Sequence, residues 1–104
     1  MLRVCREYKG YCYPMIGLHP TSVDADYEKE LDIVARELAS SNEFVAVGEI
    51  GMDLYWDKTF LREQQRALGR QIEWALEYDL PVVLHCREAF DHIYNVLKLI
   101  GRLL

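Results

Sequence analysis

The sequence predicts an α/β fold with parallel strands, and three observations carry that expectation. Strand-like and helix-like stretches alternate three times along the chain. Two strand-like runs, Phe44-Val45-Ala46-Val47-Gly48-Glu49 and Leu80-Pro81-Val82-Val83-Leu84-His85, each stop on a side chain able to bind a metal. Val82-Val83-Leu84 is apolar without alternation, the pattern of a strand buried in a parallel sheet. Strand–helix–strand crossovers in such a sheet are right-handed, and ligands collect at the C-terminal edge of the strands.

Each element has its own signal. Gly10 closes a short N-terminal helical segment, and Tyr11 to Ile16 reads as a strand, with Pro14 out of place in its interior. Gly17 to Asp26 is a loop. From Tyr27 to Ser40, Tyr27, Leu31, Val34, Ala35 and Leu38 follow the 3.6-residue period of an amphipathic helix, with Asp24 or Asp26 as its N-cap. Ser41-Asn42 ends that helix, and Phe44 to Gly48 forms the next strand. Gly48 and Gly51 bracket Glu49, which predicts a tight strand-to-loop turn. A longer helix runs from about Thr59 to Tyr78, with Leu61, Leu68, Ile72, Ala75 and Leu76 inward. After Asp79 and Pro81 comes the buried strand Val82-Val83-Leu84. A last helix, Ala89 to Leu103, carries Phe90, Ile93, Leu97 and Ile100 on one stripe.

Composition bounds the function. The chain has 104 residues, 51% hydrophobic and 28% charged, the profile of one folded domain rather than a disordered segment. A formal charge of −5 argues against a basic nucleic-acid binder driven by bulk electrostatics. It leaves room for a nuclease whose bound cations neutralise phosphate locally. The first residues lack the apolar core of a secretory signal, and no stretch is long enough to span a bilayer. Cys5, Cys12 and Cys86 have no C-x-x-C spacing and read as reduced thiols of a cytoplasmic protein.

The residues alone leave several pairs of readings open. Glu49 and His85 are metal ligands, or else a solvated carboxylate and a hydrogen-bonded core histidine. His19, before Pro20, lines a cleft or anchors its loop. Asp53 orients the loop or a ligand, and Arg87 meets a phosphate in bidentate fashion or pairs with Glu88. Tyr55 and Trp56 stack on an unpaired base or pack over the sheet edge. Arg62, Arg66 and Arg70 recur every four residues, most simply as a solvated face.

Four motifs, taken together, resemble the TatD family of metal-dependent hydrolases and deoxyribonucleases. They are Gly17-Leu18-His19-Pro20, Val47-Gly48-Glu49-Ile50-Gly51-Met52-Asp53-Leu54-Tyr55, Gln64-Gln65, and Leu80-Pro81-Val82-Val83-Leu84-His85-Cys86-Arg87-Glu88-Ala89. The resemblance spans nearly the whole chain and implies a partial TIM (β/α)8 barrel of roughly three β–α units, a closed barrel taking about 250 residues. It implies that Glu49 bridges or ligates divalent metal ions (Mg, Mn or Zn), that His85 is a further ligand, and that His19 is a cleft residue. Glu49 and His85 are thereby the expected catalytic and metal residues. His19, Arg87, Asp53 and Tyr55 are the expected substrate-binding set.

The family's H-x-H pair, its later histidine and its last aspartate lie in segments that this sequence does not contain. The expectation is therefore a truncated domain, residues 1–104, inactive by itself. Its expected substrate is DNA or another phosphodiester. The competing expectation is an inactive α/β fragment that forms homo-oligomers through exposed sheet edges.

Overall fold

Alternation of apolar runs with amphipathic stretches becomes, in the computed structural model, a parallel sheet backed by helices. The structure describes residues 2–8, 10 and 13–103. In chain order the elements are α1 (Leu2–Glu7), β1 (Met15–Ile16), a 3-10 turn (Pro20–Ser22), α2 (Tyr27–Ser40), β2 (Ala46–Asp53), α3 (Leu61–Glu77), β3 (Val82–Arg87) and α4 (Phe90–Leu103). Among the described residues the strands form one sheet in the order β1-β2-β3, all parallel.

α2 spans the residues that its periodicity predicts, and Tyr27, Leu31, Val34 and Leu38 are its buried stripe. Asp26 stands at its N-cap without a capping side-chain bond, while Asp24 accepts a hydrogen bond from the Asp26 N–H. Pro14 lies just before β1, where its carbonyl accepts from Val45 N–H, so its missing donor costs the sheet nothing. The expected earlier start of β1, at Tyr11 and Cys12, falls outside the described residues.

β2 departs most from expectation. It continues past Glu49 to Asp53, and the glycines make no turn. Glycine inside a strand also marks a bulge or a close backbone approach, and both occur here. Pairing runs from Gly48↔Val83 to Ile50↔Leu84, so Glu49 is the extra residue of a bulge. Gly51 has φ of +146°, and a Cβ there would collide with the His85 carbonyl oxygen opposite.

β3 also runs longer than expected, to Arg87, and it is half exposed rather than buried. Val83 and Leu84 are each 39% exposed, because β2 alone pairs with this strand among the described residues. A continuous apolar run reports a strand destined for two covered faces, and here Val83 and Leu84, on opposite faces, both stay partly open. The covered helix faces match the periodicity in part. Leu68, Ile72 and Ala75 of α3 are buried, whereas Leu76 is half exposed. On α4, Ile93 and Ile100 are buried, while Phe90 and Leu97 face outward.

The main core gathers Val47, Ile50 and Met52 of β2 with Leu68 and Ile72 of α3 and Ile93 of α4. A second cluster joins Leu18, Val23, Tyr27, Leu31 and Ala67, fixing the loop after β1 against α2 and α3.

Gly51→Ala must relieve both the positive φ and the collision with His85. It is expected to destabilise the fold by roughly 2–5 kcal/mol, read as a lowered urea midpoint. An unchanged midpoint would show that β2 and β3 separate there at no cost.

Candidate metal centre

Three side chains from three segments meet at one edge of the sheet. His19 leads into the 3-10 turn three residues beyond β1, Glu49 sits on the β2 bulge, and His85 pairs in register with Gly51. A regular strand would alternate Gly48, Glu49 and Ile50 between two faces. The bulge interrupts that alternation and leaves Glu49 exposed between buried neighbours, the usual effect of a bulge on side-chain aim. His19, Glu49 and His85 each offer a ligand atom within 4.8 Å of the others. The two imidazole rings lie 4.6 Å apart, edge to face at 60°.

The protonation pattern distinguishes the two histidines. Asp53, only 6% exposed, accepts a hydrogen bond from His85 Nε2 at 2.8 Å. With Nε2 carrying the proton, the lone pair of a neutral His85 is on Nδ1. A carboxylate behind an imidazole in this way fixes its tautomer and ring orientation and makes it a better ligand. His19 is held the other way round. Its Nδ1 accepts from Thr21 N–H at 3.2 Å and lies 2.8 Å from the Thr21 hydroxyl. In the neutral ring, His19 therefore presents Nε2–H, a donor suited to a substrate oxygen.

Asp53 is itself held on all sides. Gln64, buried on α3, accepts from Asp53 N–H at 2.8 Å and donates to the Asp53 carbonyl at 3.1 Å. Tyr55 N–H donates to Asp53 Oδ1. Burial pushes the Asp53 carboxyl up. The hydrogen bonds from His85 and from Tyr55 N–H, with the charges of His85 and Arg87, outweigh it and hold the carboxyl below its ordinary range. Gln71 plays the matching part for His19: its side chain accepts from Leu18 N–H at 2.6 Å and donates to Ala67 carbonyl, tying the His19 loop to α3.

The remaining residues read from sequence take these places. Arg87 lies with Cζ 3.7 Å from the centre of the Tyr55 ring, a cation–π contact, and 5.6 Å from that of Trp56. Among the described residues it makes no ion pair with Glu88. Arg62, Arg66 and Arg70 are exposed along α3. Cys86 is an exposed free thiol outside the cluster. Sequence reasoning gave Gln64 a motif but no task and overlooked Gln71 and Thr21. A glutamine on the buried stripe of an amphipathic helix was the signal, since a buried amide needs polar partners.

The donor set suits a divalent ion. A cation held at roughly 2.0–2.2 Å by mixed oxygen and nitrogen ligands needs those atoms about 3–4 Å apart, and Glu49 is exposed and free to adjust. One carboxylate and one oriented imidazole, with a donor histidine beside them, leave further coordination positions of an ion open. Parallel α/β architecture carrying such a cluster defines an α/β domain with a candidate metal centre.

The comparisons with known proteins narrow that class. The family model for TatD related DNase matches residues 1–102, and the chain belongs to that family. It is 35% identical over 97 residues to the 3'-5' ssDNA/RNA exonuclease TatD of Erwinia tasmaniensis, covering 93% of this chain and 37% of that protein. It is 36% identical over 98 residues to the uncharacterized metal-dependent hydrolase YabD of Bacillus subtilis, again with 93% and 37% covered. The crystal structure of YJJV, a TatD homologue from Escherichia coli, superimposes with a TM-score of 0.71 at 36% identity, covering 94% of this chain and 39% of that one. The chain thus spans a little over a third of the length of these relatives and has the fold of part of a TatD barrel.

Two measurements test the support around His85. A depressed native pKa means that Asp53 stabilises the fold fully above the unfolded carboxyl value near 3.9, and that this contribution is lost as pH falls through the lower native value. Without metal, Asp53→Asn is expected to flatten the fall of the urea midpoint between roughly pH 5 and pH 2; parallel curves would count against the His85 contact. Gln64→Leu leaves two buried backbone groups of Asp53 unpaired and is expected to cost roughly 2–4 kcal/mol, with an unshifted melting temperature the contrary result.

Proposed function

We propose that this chain carries the metal-binding edge of a divalent-metal-dependent hydrolase that cuts phosphodiester bonds of DNA, in the manner of a deoxyribonuclease. The observation carrying this reading is the convergence of Glu49 and His85, the latter steered by buried Asp53. Membership of the TatD family and the metal-dependent and nuclease names of its relatives support it.

In this reading Glu49 and Nδ1 of His85 would hold a divalent ion, Mg²⁺, Mn²⁺ or Zn²⁺. When bound, such an ion supplies Lewis acidity toward a phosphoryl oxygen and makes a water acidic enough to attack near neutral pH. Asp53 fixes the His85 ring so that its free lone pair would be available to the ion. His19 donates Nε2–H to a non-bridging phosphate oxygen, and Arg87 adds a cation near the same edge. Tyr55 holds Arg87 in place through its ring. Residues 1–104 act as a single partial TatD-like domain, so these groups form one sector of the catalytic surface. No described helix is long and apolar enough to cross a membrane. A cytoplasmic setting suits the exposed free thiol of Cys86.

A second reading rests on exposed surface. Among the described residues the outer edges of β1 and β3 are unpaired, and Phe90, Tyr94 and Leu99 of α4 are more than half exposed. Unpaired parallel edges and apolar patches favour self-association, giving a homo-oligomer with no catalytic role. Light scattering across a concentration series is expected to show mass above that of one chain; a constant single-chain mass would remove this reading.

Calorimetric titration with Mn²⁺ tests the metal reading. Wild type is expected to bind, and Glu49→Ala and His85→Ala to bind at least tenfold more weakly, in the range for lost metal-site groups. Equal binding by all three proteins would remove both residues from the site.

A further inference from the structure

α4 carries one apolar stripe more than folding requires. Ile93, Val96 and Ile100 pack against the core. One residue further round, about 100° on the helix, Phe90, Tyr94 and Leu97 form a second stripe that stays in water, 71%, 55% and 38% exposed. Gly101, the next position along it, is exposed too, and a Cβ there would meet nothing within 4 Å. The Phe90 and Tyr94 rings lie 6.4 Å apart and nearly parallel, at 17°, so the stripe begins as one stacked aromatic surface.

The spacing of Phe90, Tyr94, Leu97 and Gly101 is the alternating four-and-three repeat of a helix–helix seam. Asp91 and Lys98 stand seven residues apart, hence on one flank of that seam. Both are exposed, and neither forms an ion pair among the described residues. In an antiparallel pair of helices related by a twofold axis, each flank faces the same flank of the other copy. An axis between Asn95 and Val96 sets Tyr94 against Leu97 of the second copy. It sets Phe90 over Gly101 of the second copy, where the missing side chain leaves room for the ring. It also brings Asp91 to within about 3 Å, measured along the helix, of Lys98 of the second copy, and does so twice. A parallel pair would turn this flank toward the one that carries Ile93 and Ile100, and neither charge would find a partner. Shape and charge thus select the same orientation.

We infer that the second stripe of α4 is a docking face for another copy of this chain, joined antiparallel about a twofold axis through the middle of the helix, with Asp91 and Lys98 fixing the orientation. The inference rests on the self-association reading above and narrows it from any exposed edge to one helix face. Two helices of 14 residues make an interface at the small end of the known range, so the dimer is weak and depends on concentration.

Sedimentation equilibrium over a concentration series tests this with wild type, Asp91→Lys, Lys98→Asp and an equimolar mixture of the two variants. Circular dichroism shows that each is folded. Wild type is expected to dimerise. Each variant alone sets like charges opposite one another at both contacts and is expected to dimerise at least roughly tenfold more weakly. In the mixture both contacts again place lysine opposite aspartate, and dimerisation is expected to return, a rescue that damaged folding cannot produce. Variants that associate as wild type does, or a mixture as weak as its components, overturn the α4 interface while leaving association through the sheet edges standing. A wild type that keeps the mass of one chain throughout overturns both, and the stripe then belongs to a different partner or to a further segment of a longer chain.

Discussion

The hydrogen bond between buried Asp53 and His85 is the constraint on which the candidate site depends. It joins the last residue of β2 to the fourth of β3, so it is at once a tie across the sheet and the device that selects which nitrogen of His85 is free. An isolated carboxylate at this depth would take up a proton, because burial penalises its charge. The donors arranged around Asp53 reverse that preference. Gln64 satisfies its backbone, Tyr55 N–H its Oδ1 and His85 its Oδ2. A charge kept on Asp53 in this way polarises His85 and favours a cation on the far side of the ring.

β2 makes this arrangement possible by being irregular where the candidate ligands are. Its bulge lifts Glu49 out of the alternation that governs the rest of the strand. Two residues later, Gly51 lets the backbone approach His85 more closely than any side chain would permit. The Cβ-free position and the bulge serve one end, which is to bring a carboxylate and an imidazole from neighbouring strands over the same edge.

The charge distribution fits the same picture. A chain with a net charge of −5 has no broad positive field with which to collect a polyanion. In the proposed function, attraction for phosphate is therefore local, from Arg87 and from a cation held by Glu49 and His85.

The fold class, the order and parallel direction of the elements and the full extent of α2 were legible in the residues alone. These are encoded locally: periodicity marks a helix, apolar runs mark strands, and a carboxylate or imidazole at the close of such a run is visible in one dimension. The family likeness was also legible, since it rests on short motifs in a fixed order. Tertiary structure alone decided how the glycines of β2 act. Gly48 and Gly51 are compatible with a turn or a bulge, and only pairing with β3 selects the bulge. It also decided which face of α4 is covered and that β3 stays partly exposed, because burial depends on what packs alongside. The tautomers of His19 and His85 were equally out of reach of sequence, being set by Thr21 on one side and by Asp53, far along the chain from His85, on the other. Proton positions follow from neighbours in space, and a linear sequence does not state who those neighbours are.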